Sequence, residues 1–419
     1  MINNEATATS LKLTETQKPD IQRKAIRLGQ SLRLPCGAIL KNRLLKSAMS
    51  DSLADGKGNA TLEQARLYER WAEGGVALSI IGEVQVDPRY PEKPGNLVLG
   101  PNTNRQALSE LAARGSINDT HIWPQIGHAG ALAAPLISQP KGPSALRVGS
   151  FSCAGMSLSE IQQLPAVYTN AALLTKAVGF SGLQLHAGHG FLLSQFLSPL
   201  FNRRQDQYGG SVDARARVIV DIIEKVRGAV GPHFPIGIKI NSSDQLEGGL
   251  SQQEALEVIG ILDRTSIDLI EISGGTYFPG ATSSSDAATD GPYFIDFASQ
   301  AKQLTKIPIV TTGGFKNRPQ AVAALGSGET DMIGMARALA LNPSLARQWL
   351  KPTADEVHFP RFNTTPPGGI TAWYTMRLTA LAKDNEDNFS MDLESAIRCY
   401  EQRDQLRAER WRRRFSSSQ

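Results

Sequence analysis

The segment from Gly182 to Arg217, GLQLHAGHGFLLSQFLSPLFNRRQDQYGGSVDARAR, shows the unit from which the fold can be predicted. It starts with a short apolar run after a glycine, which is typical of a buried strand. His186 and His189 follow at the point where this strand is expected to end. A Tyr-Gly-Gly turn then precedes an amphipathic stretch that predicts a helix over Val212–Val230. A strand, a polar loop and a helix in this order form the unit of parallel α/β proteins.

Similar units recur on both sides of this segment. The predicted strands are Leu44–Met49, Val76–Ile81, His121–Ile126, Gly182–His186, Pro235–Ile240, Ile267–Ser273, Ile307–Thr312 and Asp331–Met335. The predicted helices are Leu62–Glu73, Arg105–Ala113, Glu160–Ala177, Val212–Val230, Gln252–Asp263, Tyr293–Gln303 and Pro319–Leu325. This alternation predicts an α/β fold, a (β/α)8 TIM barrel rather than a doubly wound sheet. The loops over residues 130–157 and 276–292 are long enough to act as lids or binding loops.

The composition indicates a soluble globular protein without a nucleic-acid or membrane partner. The 419 residues carry a formal net charge of +4, with 41% hydrophobic and 20% charged residues. Three separated cysteines, a polar N-terminal stretch and the lack of long apolar runs predict a cytoplasmic location. We predict a disordered extension over residues 1–30, a barrel over 31–352, and a helical extension over 353–419. The extension is expected to pack on the barrel or on a neighbouring subunit, so a homo-oligomer is compatible with the sequence. Its basic run, residues 410–414, is expected to be a solvated helix end.

Glycines after the last two predicted strands indicate a phosphate site. TIM barrels often bind phosphate with the loops that follow strands seven and eight. Gly313 and Gly314 would let the backbone approach an anion, and Arg337 can hold two phosphate oxygens. The alternative is an ordinary tight turn beside a surface arginine.

Polar residues at the ends of other predicted strands indicate which phosphate-containing ligand the site would bind. Gln125 suits the pyrimidine edge of a flavin, and Lys239 suits the region near N1, where reduction places negative charge. Met49 and Ser50 can line the far edge of the ring. Two alternatives for Lys239 stay open: a buried ion pair with a carboxylate such as Glu271, and a Schiff base with pyridoxal phosphate.

His186 and His189 are predicted to activate a substrate. Two imidazole N–H groups that donate to one oxygen polarise a conjugated carbonyl or nitro group, and hydride can then add at the far carbon. A metal-binding pair and a structural pair are the alternatives.

Several segments together resemble the old yellow enzyme family of FMN-dependent NAD(P)H oxidoreductases over about residues 34–350. They are Leu40–Arg43, Gln125–Gly130, Gly142–Ala145, His186–Gly190, Phe196–Pro199 and Asp206–Ser211. Gly82–Asp87 and Glu271–Tyr277 are similar to the branch called NADH:flavin oxidoreductase. The resemblance implies a TIM barrel that binds FMN and takes hydride from NADH or NADPH.

The resemblance also implies roles for individual residues. The predicted FMN contacts are Ala48, Met49, Ser50, Gly82, Glu83, Gln125, Lys239, Gly274, Gly313, Gly314, Ala336 and Arg337. His186 and His189 match the pair that holds a substrate carbonyl. The family usually has a tyrosine proton donor where this chain has Phe191, so Tyr277 or Tyr374 is considered as a substitute donor.

The expected activity is hydride transfer to a small-molecule electron acceptor such as an α,β-unsaturated carbonyl. Because Phe191 has no acidic proton, a dehydrogenase, an oxidase and an isomerase remain alternatives. A catalytically weak FMN-binding paralogue is a further alternative.

Overall fold

The centre of the protein is a closed barrel of eight parallel strands. The computed structural model describes residues 27–148, 151–281, 291–352, 356–363 and 365–415. The strands are β1 Leu44–Lys46, β2 Leu78–Gln85, β3 His121–Gly127, β4 Leu183–Ala187, β5 Ile236–Asn241, β6 Leu269–Ser273, β7 Ile309–Thr312 and β8 Met332–Met335. Each strand pairs with the next in chain order, and β8 pairs with β1. The predicted TIM barrel is confirmed.

Alternation along each strand divides its side chains between two apolar regions. Residues that point outward, such as Leu185 and Ile238, are fully buried against the surrounding helices. Residues that point inward near the start of the strands, such as Leu45, Trp123 and Val310, fill the barrel interior. This period of two leaves the inward positions near the strand ends for polar residues.

All seven predicted helices are present, with boundaries within a few residues. The described helices are α1 Leu62–Glu73, α2 Arg105–Gly115, α3 Leu158–Ala177, α4 Leu192–Leu197, α5 Val212–Val230, α6 Gln252–Leu262, α7 Ile295–Ala301, α8 Arg318–Ser327, α9 Arg337–Leu341, α10 Leu345–Trp349, α11 Gly369–Leu381 and α12 Leu393–Phe415. Helix α3 begins at a capping box in which Ser157 and Glu160 satisfy each other's backbone N–H groups. The sequence prediction missed α4, α9 and α10 because five or six residues hold too little of the helical period.

Strand β2 differs most from its prediction, which ended at Ile81. The strand continues to Gln85 because a bulge between Ile81 and Val84 shifts the register with β3. Glu83, inside this bulge, has a φ of 57°. The first strand is correspondingly shorter than predicted and ends at Lys46 rather than Met49. Bulges of this kind often turn a side chain toward an active site.

Smaller elements cover the two ends of the barrel. Residues 130–157, predicted as a long loop, contain a three-stranded sheet after β3 formed by Lys141–Gly142, Leu146–Val148 and Phe151–Gly155. A hairpin of Leu32–Arg33 with Ile39–Leu40 precedes β1, and Leu97–Val98 extends β2. In the predicted loop over 276–292, residues 282–290 lie outside the described part of the chain.

The chain termini differ in how much of them the structure describes. Residues 1–26 of the expected N-terminal extension lie outside the described ranges, while Leu28 is fully buried. Its carbonyl accepts a hydrogen bond from the Arg43 N–H, so this part of the chain is anchored just before β1. Within the described ranges, no helix has the length and apolarity needed to cross a membrane.

The C-terminal helices α11 and α12 pack on the barrel of the same chain. Tyr374 in α11 is buried, and its ring lies 5.9 Å from the Arg337 guanidinium carbon. Trp411 in α12 is also buried, and its Nε1 donates to the Pro88 carbonyl at 3.2 Å. The arginines at positions 410 and 412–414 are exposed at the end of α12, as predicted, whereas Trp411 between them is buried. Neighbouring arginines bind loop carbonyls: Arg410 binds Asp55, Arg412 binds Leu136 and Arg414 binds Asn102.

We expect Trp411→Ala to detach the end of α12 from the barrel. The ring packs with Val98 and Ile137, so its removal should lower the free energy of unfolding by about 3–5 kcal/mol. Leu406→Ala is the matched control, because this leucine lies on the same helix but is 60% exposed. The control should change stability by less than about 0.5 kcal/mol. Urea unfolding of both variants checks this, and equal effects would contradict the packing described.

Candidate active site

A continuous layer of buried polar side chains crosses the barrel near the carboxyl ends of its strands. Gln125 on β3 donates to Gln184 on β4 at 2.7 Å, and Gln184 donates to Glu271 on β6 at 2.7 Å. The Thr312 hydroxyl donates to the other Glu271 oxygen at 2.8 Å and lies 2.8 Å from the Ser47 hydroxyl. Each group points inward from a strand, so the barrel fixes the layer as a unit.

Lys239 and Glu271 form an ion pair inside this layer. Their strands place them opposite each other, and Lys239 Nζ lies 3.2 Å from Glu271 Oε1. Although burial raises the pKa of Glu271, the Lys239 charge and hydrogen bonds from Gln184 and Thr312 hold it below the ordinary value. The carboxylate is thus ionised. The ion pair between Lys239 and Glu271, which was one alternative for Lys239 in the sequence analysis, is present. Lys239 lies near the carboxyl ends of the strands, which is the catalytic end of a TIM barrel.

His186 and His189 stand together at the end of β4. Their ring centroids are 5.3 Å apart, and the rings are nearly perpendicular. Among the described residues, His186 Nε2 has no hydrogen-bond partner, and the nearest carboxylate oxygen, on Glu83, is 3.5 Å away. His189 Nε2 lies 2.8 Å from the Ser273 hydroxyl, and its backbone N–H donates to Asn241. The two rings therefore differ: His189 is held in place, and His186 keeps an unused ring nitrogen.

Both histidines are neutral at pH 7. Burial and the charge of Lys239 lower the pKa of His186 to about 3. Burial, Lys239 and His186 lower the pKa of His189 well below the ordinary value. A neutral imidazole with a free N–H can donate a hydrogen bond to a substrate oxygen without bringing a positive charge into the site.

Phe191 and Tyr277 form an aromatic wall beside the histidines. The Phe191 ring is buried 4.8 Å from the His186 ring. Tyr277 comes from the loop after β6, where its N–H donates to the His189 carbonyl at 3.1 Å. Its ring lies 5.8 Å from Phe191 and 5.9 Å from His189, and the residue is 61% exposed. An apolar wall with one accessible hydroxyl suits a small unsaturated substrate.

Residues at the ends of β1 and β2 meet closely. A Cβ atom on Gly82 would lie 2.1 Å from the Met49 carbonyl oxygen, so only glycine allows this approach. Ala48 and Met49 are partly buried, and Ser50 donates to Glu92 at 3.3 Å. Glu83 is buried beside His186. The structure thus brings this predicted group to the same end of the barrel as the histidines.

The predicted phosphate residues lie on the opposite part of the rim, after β7 and β8. Gly313 and Gly314 have φ values of 110° and 83°. A Cβ atom on Gly314 would lie 2.2 Å from the Gly291 carbonyl, so the backbone conformation and the space both require glycine. Ala336 precedes α9, and Arg337 is its first residue. Gly274 directly follows β6 on the same rim.

Comparison with known proteins establishes the family. A family model described as NADH:flavin oxidoreductase / NADH oxidase matches residues 36–356. The chain belongs to this family. The family inferred from the sequence motifs is confirmed by this match. A solved old yellow enzyme homologue from Zymomonas mobilis has a similar fold, with a TM-score of 0.67 and 22% identity over 77% of this chain and 92% of that one.

Curated members of the family include several fungal enzymes. An NADH-dependent flavin oxidoreductase of Talaromyces variabilis is 31% identical over 85% of this chain and 99% of its own length. One from Hypocrea jecorina (strain QM6a) is 31% identical over 75% and 87% of the two chains. One from Neonectria sp. (strain DH2) is 32% identical over 76% of this chain, which spans only 46% of that relative.

Solved structures show the same fold. Morphinone reductase in complex with tetrahydroNAD matches with a TM-score of 0.67 and 22% identity, over 78% of this chain and 92% of that one. A 2-naphthoyl-CoA reductase matches with a TM-score of 0.73 and 24% identity, over 77% and 52% of the two chains. At these identities the likeness concerns the barrel itself.

The residues of this family member also fit FMN. The ammonium of Lys239 and the amide of Gln125 lie on the polar layer below the mouth, where a flavin ring needs a cation and an amide. Gly313 and Gly314 follow β7, and Arg337 follows β8, which are the two strands whose loops often bind phosphate in TIM barrels. His186, whose Nε2 has no hydrogen-bond partner among the described residues, lies at the carboxyl end of β4 on the same side of the barrel.

Sequence reasoning missed part of the site. Gln184, Thr312 and Ser273 were not predicted, although they hold Glu271 and His189 in place. The available signal was the spacing of polar residues by two within apolar strands. Gln184 with His186 and Glu271 with Ser273 show it, because residues two apart point to the same side of a strand.

Proposed function

We propose that this chain binds FMN at the mouth of its barrel and uses NADH or NADPH to reduce a small, electron-poor acceptor, such as an α,β-unsaturated carbonyl compound. The observation that carries the proposal is the buried, neutral His186, whose Nε2 has no partner among the described residues. Bound FMN would supply the hydride that it accepts from the nicotinamide. The chain's own residues bind, orient and polarise the acceptor.

His186 is the main donor to the acceptor oxygen. A hydrogen bond donated by the Nε2–H group draws electrons toward that oxygen and leaves the far carbon of the double bond electron-poor. His189 lies against it and is oriented by Ser273 and Asn241, so it supports the same end of the substrate. Phe191 and Tyr277 would pack on the carbon skeleton and exclude water.

Three parts of the rim would hold the cofactor. Gln125 would bind the pyrimidine edge, and Lys239, which is paired with Glu271, would lie near N1. The phosphate would bind the loops after β7 and β8, with the remaining predicted contacts around the ring. In this arrangement the polar layer serves two purposes: it fills the barrel and fixes the cation that reduction requires.

A second candidate function is an oxidase that passes the electrons to oxygen. Phe191 favours it, because the residue at this position has no proton to give to a substrate carbon. NADH oxidation with cyclohexenone, maleimide or oxygen as the acceptor separates the two. Reduction of the enone supports the first function, and turnover with oxygen alone supports the second. A flavin-bound protein that turns over none of them would mean that the chain is a weak paralogue.

We expect Arg337→Met to weaken the binding of FMN but not of riboflavin, which lacks the phosphate. The loss of a charge-assisted hydrogen bond of roughly 1.5–3 kcal/mol corresponds to roughly 10- to 100-fold weaker binding. Fluorescence titration with both flavins measures this ratio. Arg347→Met, an exposed arginine nearby in α10, is the control and should leave both affinities unchanged. Equal weakening of both flavins in Arg337→Met would show that this arginine does not bind the phosphate.

A further inference from the structure

Glu83 occupies an unusual position for a carboxylic acid. The bulge in β2 places it in the left-handed region, with a φ of 57°, and its residue surface is only 8% exposed. Its Oε1 atom is 3.5 Å from His186 Nε2. A left-handed non-glycine residue and a buried acid are both unfavourable, and such strain is concentrated at functional sites. The fold therefore directs this carboxyl group toward the substrate end of the site.

Its surroundings keep Glu83 protonated at neutral pH. Burial raises the pKa of Glu83 to about 8, although the charge of Lys239 opposes the shift. His186 beside it is neutral and adds no positive charge. Glu92 and Tyr277 also face Glu83, and both interact with its charge. A protonated carboxyl group has one O–H to donate.

Glu92 is a second carboxyl group whose charge interacts with that of Glu83. Burial and the negative charge of Glu83 together raise the pKa of Glu92 to about 7. Two carboxyl groups that interact in this way do not readily ionise together, so an ionised Glu92 favours the protonated form of Glu83. Glu92 is only partly buried and accepts a hydrogen bond from Ser50.

Reduction of a carbon–carbon double bond requires such an acid. Hydride adds to one carbon, and a proton must reach the neighbouring carbon. Phe191 has no proton to give, and His186 is expected to hold the carbonyl oxygen. Glu83 is the buried acid next to His186, on a different strand from it.

We propose that Glu83 is the proton donor for the acceptor carbon in this enzyme. The inference rests on the proposed function. The π bond of the acceptor breaks, one new C–H bond forms with hydride and the other with the Glu83 proton. The nicotinamide is oxidised, and the Glu83 carboxylate regains its proton from water.

The test compares two acceptors with the FMN-loaded protein. Cyclohexenone needs a proton on carbon, whereas 1,4-benzoquinone takes protons on oxygen, where they exchange with water. We expect Glu83→Gln to lower the ratio of cyclohexenone to benzoquinone turnover at least about 100-fold, as is typical for loss of a general acid. An unchanged ratio overturns the proposal. The same loss in Tyr277→Phe, and not in Glu83→Gln, would assign the donor to Tyr277. Wild-type protein that reduces neither acceptor contradicts the proposed function itself.

A second substitution that supplies a new proton donor, a pH profile and an infrared spectrum complete the test. Adding Phe191→Tyr to Glu83→Gln should restore at least a tenth of the lost cyclohexenone turnover, because a phenol hydroxyl then stands beside His186. If turnover does not recover, the defect of Glu83→Gln is not the loss of a proton donor.

Wild-type turnover should fall as the pH rises through about 8, where Glu83 loses its proton, and turnover of the Glu83→Gln variant should not show this decrease. Infrared spectra at pH 7 should show a protonated carboxyl band that is absent in Glu83→Gln. An ionised Glu83 at pH 7 overturns the proposal.

Discussion

Replacing both His186 and His189 with alanine should weaken the binding of phenols and enones to the FMN-loaded protein roughly 30- to 900-fold, because two buried hydrogen-bond donors of roughly 1–2 kcal/mol each are lost. The charge-transfer band that phenols give with bound flavin reports this binding directly. Flavin binding should persist, since the polar layer that includes Gln125 and Lys239 is untouched. Loss of the band with flavin retained is the expected result.

The single variants should differ in a way that the structure specifies. His186→Ala should have the larger effect, because its Nε2 is the nitrogen without a partner, whereas His189 Nε2 already meets Ser273. His233→Ala is the matched control, an exposed histidine whose ring contacts the Cys36 carbonyl. A double variant that keeps the band and its affinity would show that these histidines do not hold the substrate oxygen.

Replacing Glu271 with leucine should destabilise the protein by about 3–5 kcal/mol, because it leaves the Lys239 ammonium buried without its counter-charge. The Gln184 amide and the Thr312 hydroxyl also lose their acceptor. Flavin affinity should fall too, since Gln184 in turn positions Gln125. Urea unfolding at a fixed free FMN concentration measures the first effect, and flavin titration measures the second.

Two comparisons isolate the cause of that loss. Adding Lys239→Met to Glu271→Leu removes the unpaired charge and should recover most of the stability, although not the flavin affinity. Asp213→Ala breaks an exposed pair with Arg264 and should change stability by less than about 1 kcal/mol. If the double variant is as unstable as Glu271→Leu alone, the buried charge is not the reason.

Much of the barrel could be predicted because each of its strands and helices is indicated by a short, continuous stretch of sequence. A strand of about five residues followed by an amphipathic helix is visible in any such unit, and the last polar residue of the strand marks the catalytic end. His186 and Lys239 were found in this way, and the structure places them opposite each other on β4 and β5. The Lys239–Glu271 pair was considered for the same reason.

The rest depends on features that spacing does not encode. The bulge that turns Glu83 toward His186 arises from the closing of β2 on β3, and no single residue signals it. The short helix that starts at Arg337 is set by contacts with Tyr374, which is distant in sequence. Trp411 likewise binds a loop more than 300 residues earlier in the chain. Such long-range packing can be recognised only once the chain is folded.

The most direct test of the account is the visible spectrum of the purified protein after incubation with FMN, recorded anaerobically before and after the addition of NADH. We expect a yellow protein whose colour bleaches when NADH is added and returns with an enone. A protein that stays colourless with FMN, or a bound flavin that neither NADH nor NADPH reduces, would contradict it.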